Sequence, residues 1–174
     1  QLDAALGELI DNSIEHGQSK NINIITKMKR LKTNTPDEIA VIDDGVGMQK
    51  DKIPNAYIVG FHDPDAAGET MSRFGVGLVY SFLNCCRTSQ MWSKIKGGSW
   101  YHSSVDLNDE RLDDNSKNYP PDATQTNPPV KYKDLWENLD SGTITVWKDF
   151  DKAELPGGPE RLKWWISRAY RKFI

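Results

Sequence analysis

Three groups of residues in this chain have the types and spacing to act together. Glu8, Asp11, Asn12 and Glu15 recur at intervals of three, four and seven, which on a helix puts three carboxylates and an amide on one stripe. The ordinary reading is a solvated acidic face. The chemical reading is a hard cation held by oxygen ligands beside a carboxylate acting as a base, and magnesium suits a site with one or two protein oxygens beside substrate phosphates. The second group is Asp43-Asp44-Gly45-Val46-Gly47, an acidic residue followed by alternating glycines that let the backbone bend and come close to a flat ligand. It also reads as a plain Asp-Gly turn. The third is Arg73-Phe74-Gly75-Val76-Gly77 ahead of an apolar run, where free N–H groups and the positive end of a helix would face an anion. Neither G-x-x-x-x-G-K-[ST] nor G-x-G-x-x-G occurs, so a phosphate held here is not held by a P-loop.

The elements that must position these groups follow from periodicity. At about 100° per residue, Leu2, Ala5, Leu6, Leu9, Ile10 and Ile14 share one face of a helix over 2–16, with Gly17 as its stop. Alternation predicts a strand over 20–29. Lys32 to Asp37, with Pro36, reads as a turn, and Ile39–Ile42 as a strand running into Asp43. A short helix is expected within 50–59, limited by Pro54, and a long loop from Gly60 to Ser72. The pattern then predicts a helix from Gly77 to about Leu83 and two strands within 87–106, broken at Gly97-Gly98. Residues 107–133, with Pro120-Pro121 and Pro128-Pro129, read as a polar surface insertion. A strand over Gly142–Trp147 follows. A final helix from near Pro159 carries Leu162, Trp165, Ile166, Ala169, Tyr170 and Phe173 on one face.

Composition bounds what this arrangement can serve. The 174 residues suffice for one domain with a real core, and 37% are hydrophobic against 27% charged. No apolar run approaches the roughly 20 residues of a membrane span. Lys and Arg number 22 against 25 Asp and Glu, a net charge of -3 that argues against a surface built to coat DNA, while a local basic patch stays open. Cys85 and Cys86 are adjacent, so they neither staple distant segments nor make a zinc site, and a reducing, intracellular setting fits. His16, His62 and His102 are scattered and none reads as a metal ligand. The chain opens at Gln1, straight into a helix, which suggests a piece of something longer.

Order and spacing carry more than any single group. Glu8-Leu9-Ile10-Asp11-Asn12, then Asp43-x-Gly45-x-Gly47, then Gly75-x-Gly77, then Gly142-Thr143 resembles the GHKL ATPase superfamily across residues 8–143. That group holds gyrase B subunits, heat-shock chaperones, histidine kinases, MutL mismatch-repair proteins and MORC ATPases. The resemblance implies an α+β, two-layer α/β sandwich, the Bergerat fold, with a mixed β-sheet covered on one face by helices. It implies ATP and Mg2+ as ligands. Glu8 would be the general base that activates the attacking water, Asn12 the magnesium ligand, and Asp43 the acceptor for the adenine amino group. Gly45 and Gly47 would let the chain wrap the adenine and Met48 would pack near it. Residues 60–74 would form an ATP lid. Phe74, Gly75, Val76 and Gly77 would lead into the helix that holds the phosphates, and Thr143 would support Asp43 and a bound water.

The chain departs from the family pattern in places. Ser72 stands where many relatives have glycine, which would stiffen the lid hinge. Glu15 stands where chaperone and mismatch-repair relatives often have Asp. No lysine stands out as a γ-phosphate partner; Arg73 is a local candidate, and several relatives supply the group from a following domain. The expected partners are therefore ATP and a downstream domain, with an ATP-dependent dimer among the arrangements the family allows.

Glu8 and the Arg73-Phe74-Gly75-Val76-Gly77-Leu78 box point to a chaperone-like or MORC-like ATPase that couples lid closure to a larger machine. Asn12-Ser13-Ile14-Glu15-His16-Gly17 is similar to histidine kinases and keeps that alternative open. A nucleotide-sensing interaction module with negligible turnover is the non-enzymatic alternative. There, Trp164-Trp165 and the basic Arg161, Lys163, Arg168, Arg171 and Lys172 would dock a neighbouring domain, against the plainer reading of one core tryptophan and a solvated charged face.

Overall fold

The computed structural model describes residues 2–30, 32–59, 77–113, 119–150, 154–155 and 157–171. The first element, α1 (Leu2–Glu15), is helical because its apolar residues recur on one face, and Leu2, Ala5, Leu6, Leu9 and Ile10 are all buried. It ends where the N–H groups of His16 and Gly17 both reach the Asn12 carbonyl, at 3.0 Å each. Then β1 (Ile22–Lys29) and β2 (Lys32–Asp43) form an antiparallel hairpin that pairs Ile24 with Val41 and Ile22 with Asp43. The turn expected over Lys32 to Asp37 is instead the first half of β2. Pro36 fits there because it lies opposite Met28, where the register shifts and the ladder is already irregular.

After a single 3-10 turn at Pro54–Tyr57, α2 (Gly77–Cys85) packs beside α1. A second hairpin follows, β3 (Thr88–Lys94) with β4 (Tyr101–Asp106), joined through Gly97 at φ 73°. Short β5 (Thr124–Gln125) edges β4, and α3 (Lys133–Trp136) leads into β6 (Gly142–Lys148). The last element, α4 (Gly158–Ala169), starts after Gly157, which sits at φ 80°.

The sheet runs β1-β2-β6-β3-β4-β5, so β6 enters between the two hairpins. Every described pairing is antiparallel, where a mixed sheet was expected. The reason is local: both hairpins reverse direction, and β6 opposes the inner strand of each. The two-layer α+β sandwich itself stands as read.

Alternation divides the sheet into two faces. Ile39 and Val41 of β2, Met91 of β3, Val105 of β4 and Trp147 of β6 join Leu2, Leu6 and Leu9 of α1 and Phe82 of α2 in the main core. The opposite face is also covered. Ala40, Ile42, Trp92, Trp100, Ile144 and Val146 pack against Tyr132 and the half-buried Leu135, Trp136 and Leu139. Part of the stretch expected as a polar surface insertion thus covers this second face. Tyr132 and Lys131 both hydrogen-bond the buried Glu38, and Trp136 Nε1 donates to the Pro129 carbonyl at 3.0 Å.

On α4, Leu162 is buried and Trp165 and Ile166 pack on the main core, while Ala169, expected on that face, is exposed and Phe173 lies outside the described residues. Trp164 is exposed with the Arg168 guanidinium over its ring at 4.9 Å, and Arg161, Lys163 and Arg171 are exposed too; Lys172 lies outside the described residues. Among the described residues, no helix is long and apolar enough to cross a membrane.

Candidate functional site

The last residue of β2, Asp43, pairs with Thr143 of β6 and falls on the helix-covered face with Val41 and Ile39. It is 6% exposed. Its Oδ2 accepts a hydrogen bond from Ser13 Oγ of α1 at 2.9 Å. Its Oδ1 accepts two backbone N–H groups, from Gly45 at 2.9 Å and Thr143 at 3.2 Å. Burial pushes the carboxyl above the usual Asp range, and the donors from Gly45, Ser13 and Thr143 offset only part of that. A buried carboxylate with donors fixed on both oxygens is rigidly aimed, and each oxygen keeps acceptor capacity beyond the bonds described.

Thr143 is held from the next strand. Its Oγ1 lies 2.9 Å from Ser93 Oγ of β3, its register partner. Ser93 is fully buried, donates to the Gly142 carbonyl at 3.1 Å and accepts the Met48 N–H at 2.8 Å. A hydroxyl has one proton, so with that proton on Gly142 it is Thr143 that donates to Ser93. The acceptor side of Thr143 Oγ1 is left for another donor.

The glycine turn is pinned by its neighbour. Asp44 accepts the N–H groups of Lys20 at 2.8 Å and Asn21 at 2.9 Å, and the Asn21 side-chain amide at 2.7 Å. Burial works against its charge, but those donors hold the Asp44 carboxyl below the usual range. A side chain on Gly45 would collide with the Gly17 carbonyl, and one on Gly47, at φ 71°, with the Lys94 carbonyl. In the structure, both glycines make close backbone crossings, with the loop after α1 and with the end of β3. The expected wrapping of a base is a separate property of the same turn.

At the other end of the site, Glu8 is exposed on α1 and its carboxylate lies against Gly77, the first residue of α2; a methyl group there would strike Glu8 Oε2. Asn12, half-buried, is one turn further along α1, and its side-chain amide makes no hydrogen bond among the described residues. Phe74, Gly75 and Val76 lie outside the described residues, as do Ser72, Arg73, His62 and the expected lid over 60–74. The acidic stripe does not act as a unit. Asp11 turns to α4, where Tyr170 Oη donates to its Oδ1 at 2.7 Å and to the Gly7 carbonyl at 3.2 Å. Burial and the carboxylates of Asp11 and Glu8 push the Tyr170 phenol above its ordinary range.

The structure thus brings Asp43, Gly45, Gly47, Met48 and Thr143 together at one end of the sheet. Glu8 and Gly77 meet between the helices, with Asn12 on the same helix as Ser13. Sequence reasoning missed Ser13 and Ser93. Ser13 had a signal: it lies four and seven residues after Leu9 and Leu6, a hydroxyl on the apolar face of α1. Ser93 shares the alternation of Ser89 and Met91, but nothing local marks it as a partner for a residue 50 positions away.

With the geometry in place, the sequence profile of the family described as histidine kinase-, DNA gyrase B-, and HSP90-like ATPase matches residues 1–143. Comparison with curated protein sequences gives no match.

Proposed function

This chain belongs to the histidine kinase-, DNA gyrase B- and HSP90-like ATPase family, an ATP-binding domain type, and on that premise we propose that it binds Mg·ATP beside β2 and β6 and hydrolyses it. Lid closure over the nucleotide would then pass the bound state to the rest of a larger protein. The observation that carries the reading is Asp43: a buried carboxylate at a strand end, its two oxygens fixed by Ser13, Gly45 and Thr143. Such a group accepts from the exocyclic amino group of adenine and disfavours a base presenting a carbonyl there, because two acceptors would meet out of water. Thr143 Oγ1, donating to Ser93, keeps an acceptor for a water beside the base. Gly45, Gly47 and Met48 form the wall at the turn.

The phosphates would run from there toward the start of α2, where the N–H groups from Gly75 to Gly77 and the positive helix end would hold them. Asn12 fits a magnesium ligand: its amide is an oxygen donor one turn from Glu8 and is not used by described neighbours. When bound, magnesium supplies charge neutralisation on the phosphate oxygens. Glu8, at the α2 end of the site, takes the proton of the attacking water as its oxygen bonds to the γ-phosphorus. The bond to the bridging oxygen breaks, leaving ADP and phosphate. A carboxylate at that position favours transfer to water over transfer to a histidine.

The test is Glu8→Gln, which keeps shape and removes the base. Calorimetry should show nucleotide binding retained while hydrolysis falls at least about 100-fold, the scale of general-base catalysis. Hydrolysis at the wild-type rate would remove Glu8 from this role.

A further inference from the structure

The helix that carries Glu8 is held on more than one face. Leu2, Leu6 and Leu9 of α1 enter the main core and Ser13 bonds Asp43, while Gly7 and Asp11, one turn apart on another face, meet the end of α4. There Tyr170 closes α4, its N–H bonded to the Ile166 carbonyl at 2.9 Å. Its phenol gives its proton to Asp11 Oδ1 at 2.7 Å, with the Gly7 carbonyl 3.2 Å away as a second acceptor. The ring stands edge-on to Trp165, with centroids 6.3 Å apart. Gly7 makes room for this contact: a methyl group there would lie 3.3 Å from Trp165 Cη2 and 3.6 Å from Tyr170 Oη. Glycine inside a helix costs roughly 1 kcal/mol relative to alanine, and the close approach of α4 is a reason for that residue here.

We infer that Tyr170 is a positioning residue for hydrolysis: by bonding Asp11 it fixes the rotation of α1 and so holds the Glu8 carboxylate against the start of α2. The inference rests on the proposed role of Glu8 and goes further, by assigning a part in the reaction to the end of α4, which acts through α1. Glu8 follows Gly7, about 100° further around the helix axis. A roll of α1 that Tyr170 no longer opposes therefore carries Glu8 away from Gly77, against which its carboxylate now lies. The core and Ser13 hold other faces of the helix, and Tyr170 holds this one. The same bond keeps Asp11, three residues from Glu8 on a stripe of like charge, turned toward α4.

Steady-state assays and calorimetry with Mg·ATP on wild type, Tyr170→Phe, Glu8→Gln and the double variant test this. Phenylalanine keeps the ring beside Trp165 and removes only the hydroxyl, so the variant should fold. Tyr170→Phe should lower kcat roughly tenfold, short of the 100-fold cost of misplacing a reacting group by about 1 Å. KM and the calorimetric Kd should stay within about twofold of wild type, since no nucleotide contact is removed. In the Glu8→Gln background the same change should leave the residual rate within about twofold, because residues acting as a unit are not additive. Asp11→Asn, whose amide oxygen still accepts the phenol, should keep kcat within about threefold by the scale of one hydrogen bond. Unchanged kcat in Tyr170→Phe, beside a Glu8→Gln variant that has lost hydrolysis, overturns this inference and leaves the role of Glu8 standing. An equal fall with and without Glu8, or a rise in KM and Kd in place of the kcat loss, also overturns it, since either marks a merely structural residue. Full activity in Glu8→Gln, or no hydrolysis by wild type, removes the reading of Glu8 and this inference with it.

Discussion

Ser13 of α1 and Asp43 of β2, 30 positions apart, are joined by a 2.9 Å hydrogen bond that ties the helix to the end of the strand and aims the carboxylate. The bond stabilises the charged form of a group that burial pushes toward neutrality. Replacing Ser13 by Ala should therefore cost stability chiefly where Asp43 is ionised. At neutral pH the expected loss is about 1.5–3 kcal/mol, typical of a hydrogen bond to a charged group. The sign follows from the pKa: without its donor Asp43 protonates at a still higher pH, so the penalty shrinks as acid neutralises it. Urea titrations of Ser13→Ala and wild type at several pH values check this. A penalty independent of pH would mean that the serine acts by packing alone.

Glu8 and Gly77 hold a second close relationship. An alanine at 77 would meet the carboxylate end of Glu8 first, a flexible tip that can swing away. Gly77→Ala should thus fold normally and displace the Glu8 carboxylate, the base of the proposed reaction. Steady-state assays should show hydrolysis reduced on the order of 100-fold, the usual cost of misplacing a reacting group by about 1 Å. A variant that hydrolyses ATP normally would show that Glu8 need not stand against α2.

The second face of the sheet gives a prediction independent of nucleotide. Glu38 is buried there beside Lys131, Tyr132 and, at 3.8 Å, Lys148. Burial raises its pKa, but Lys131 and Tyr132 outweigh it and hold the carboxyl below the ordinary Glu value. Its stabilising contribution is present above the unfolded-state pKa and is lost as pH falls through the lower folded value. Glu38→Gln should lower stability by about 1.5–3 kcal/mol at neutral pH and by less in acid, with nucleotide affinity unchanged. Chemical denaturation and calorimetry on the same samples measure both. An equal loss at all pH values would contradict the linkage.

The sequence made α1, α2 and most of the sheet legible because each buries one face, and the periodicities of 3.6 and 2 record that burial. The order of Glu8, Asn12, Asp43, Gly45, Gly47 and Thr143 was legible as well, since those residues lie in short motifs. What stayed hidden depends on partners distant in the chain. Pro36 reads as a turn until Met28 is seen opposite it at a register shift. Tyr132 reads as part of a polar excursion until Glu38, 94 positions away, is found beneath it. Ser93 becomes a site residue only because β6 enters between β2 and β3. Gly47 shows its requirement only against the Lys94 carbonyl.

The central claim is that Asp43 reads the base, and Asp43→Asn tests it most directly. In the asparagine variant, Oδ1 still accepts the Gly45 and Thr143 N–H groups, and the new amide can donate to Ser13, whose hydroxyl turns round. The fold is therefore kept. Because Asp43 has a raised pKa, its ionised form costs folding free energy at neutral pH, so the melting temperature should hold or rise. Toward adenine, however, an acceptor has become a donor facing an amino group. Titration calorimetry with Mg·ATP should find affinity weakened by about 100-fold or more in a fully folded variant, given loss of a charge-assisted hydrogen bond plus an unpaired donor. Wild-type affinity in a folded Asp43→Asn protein would contradict the account.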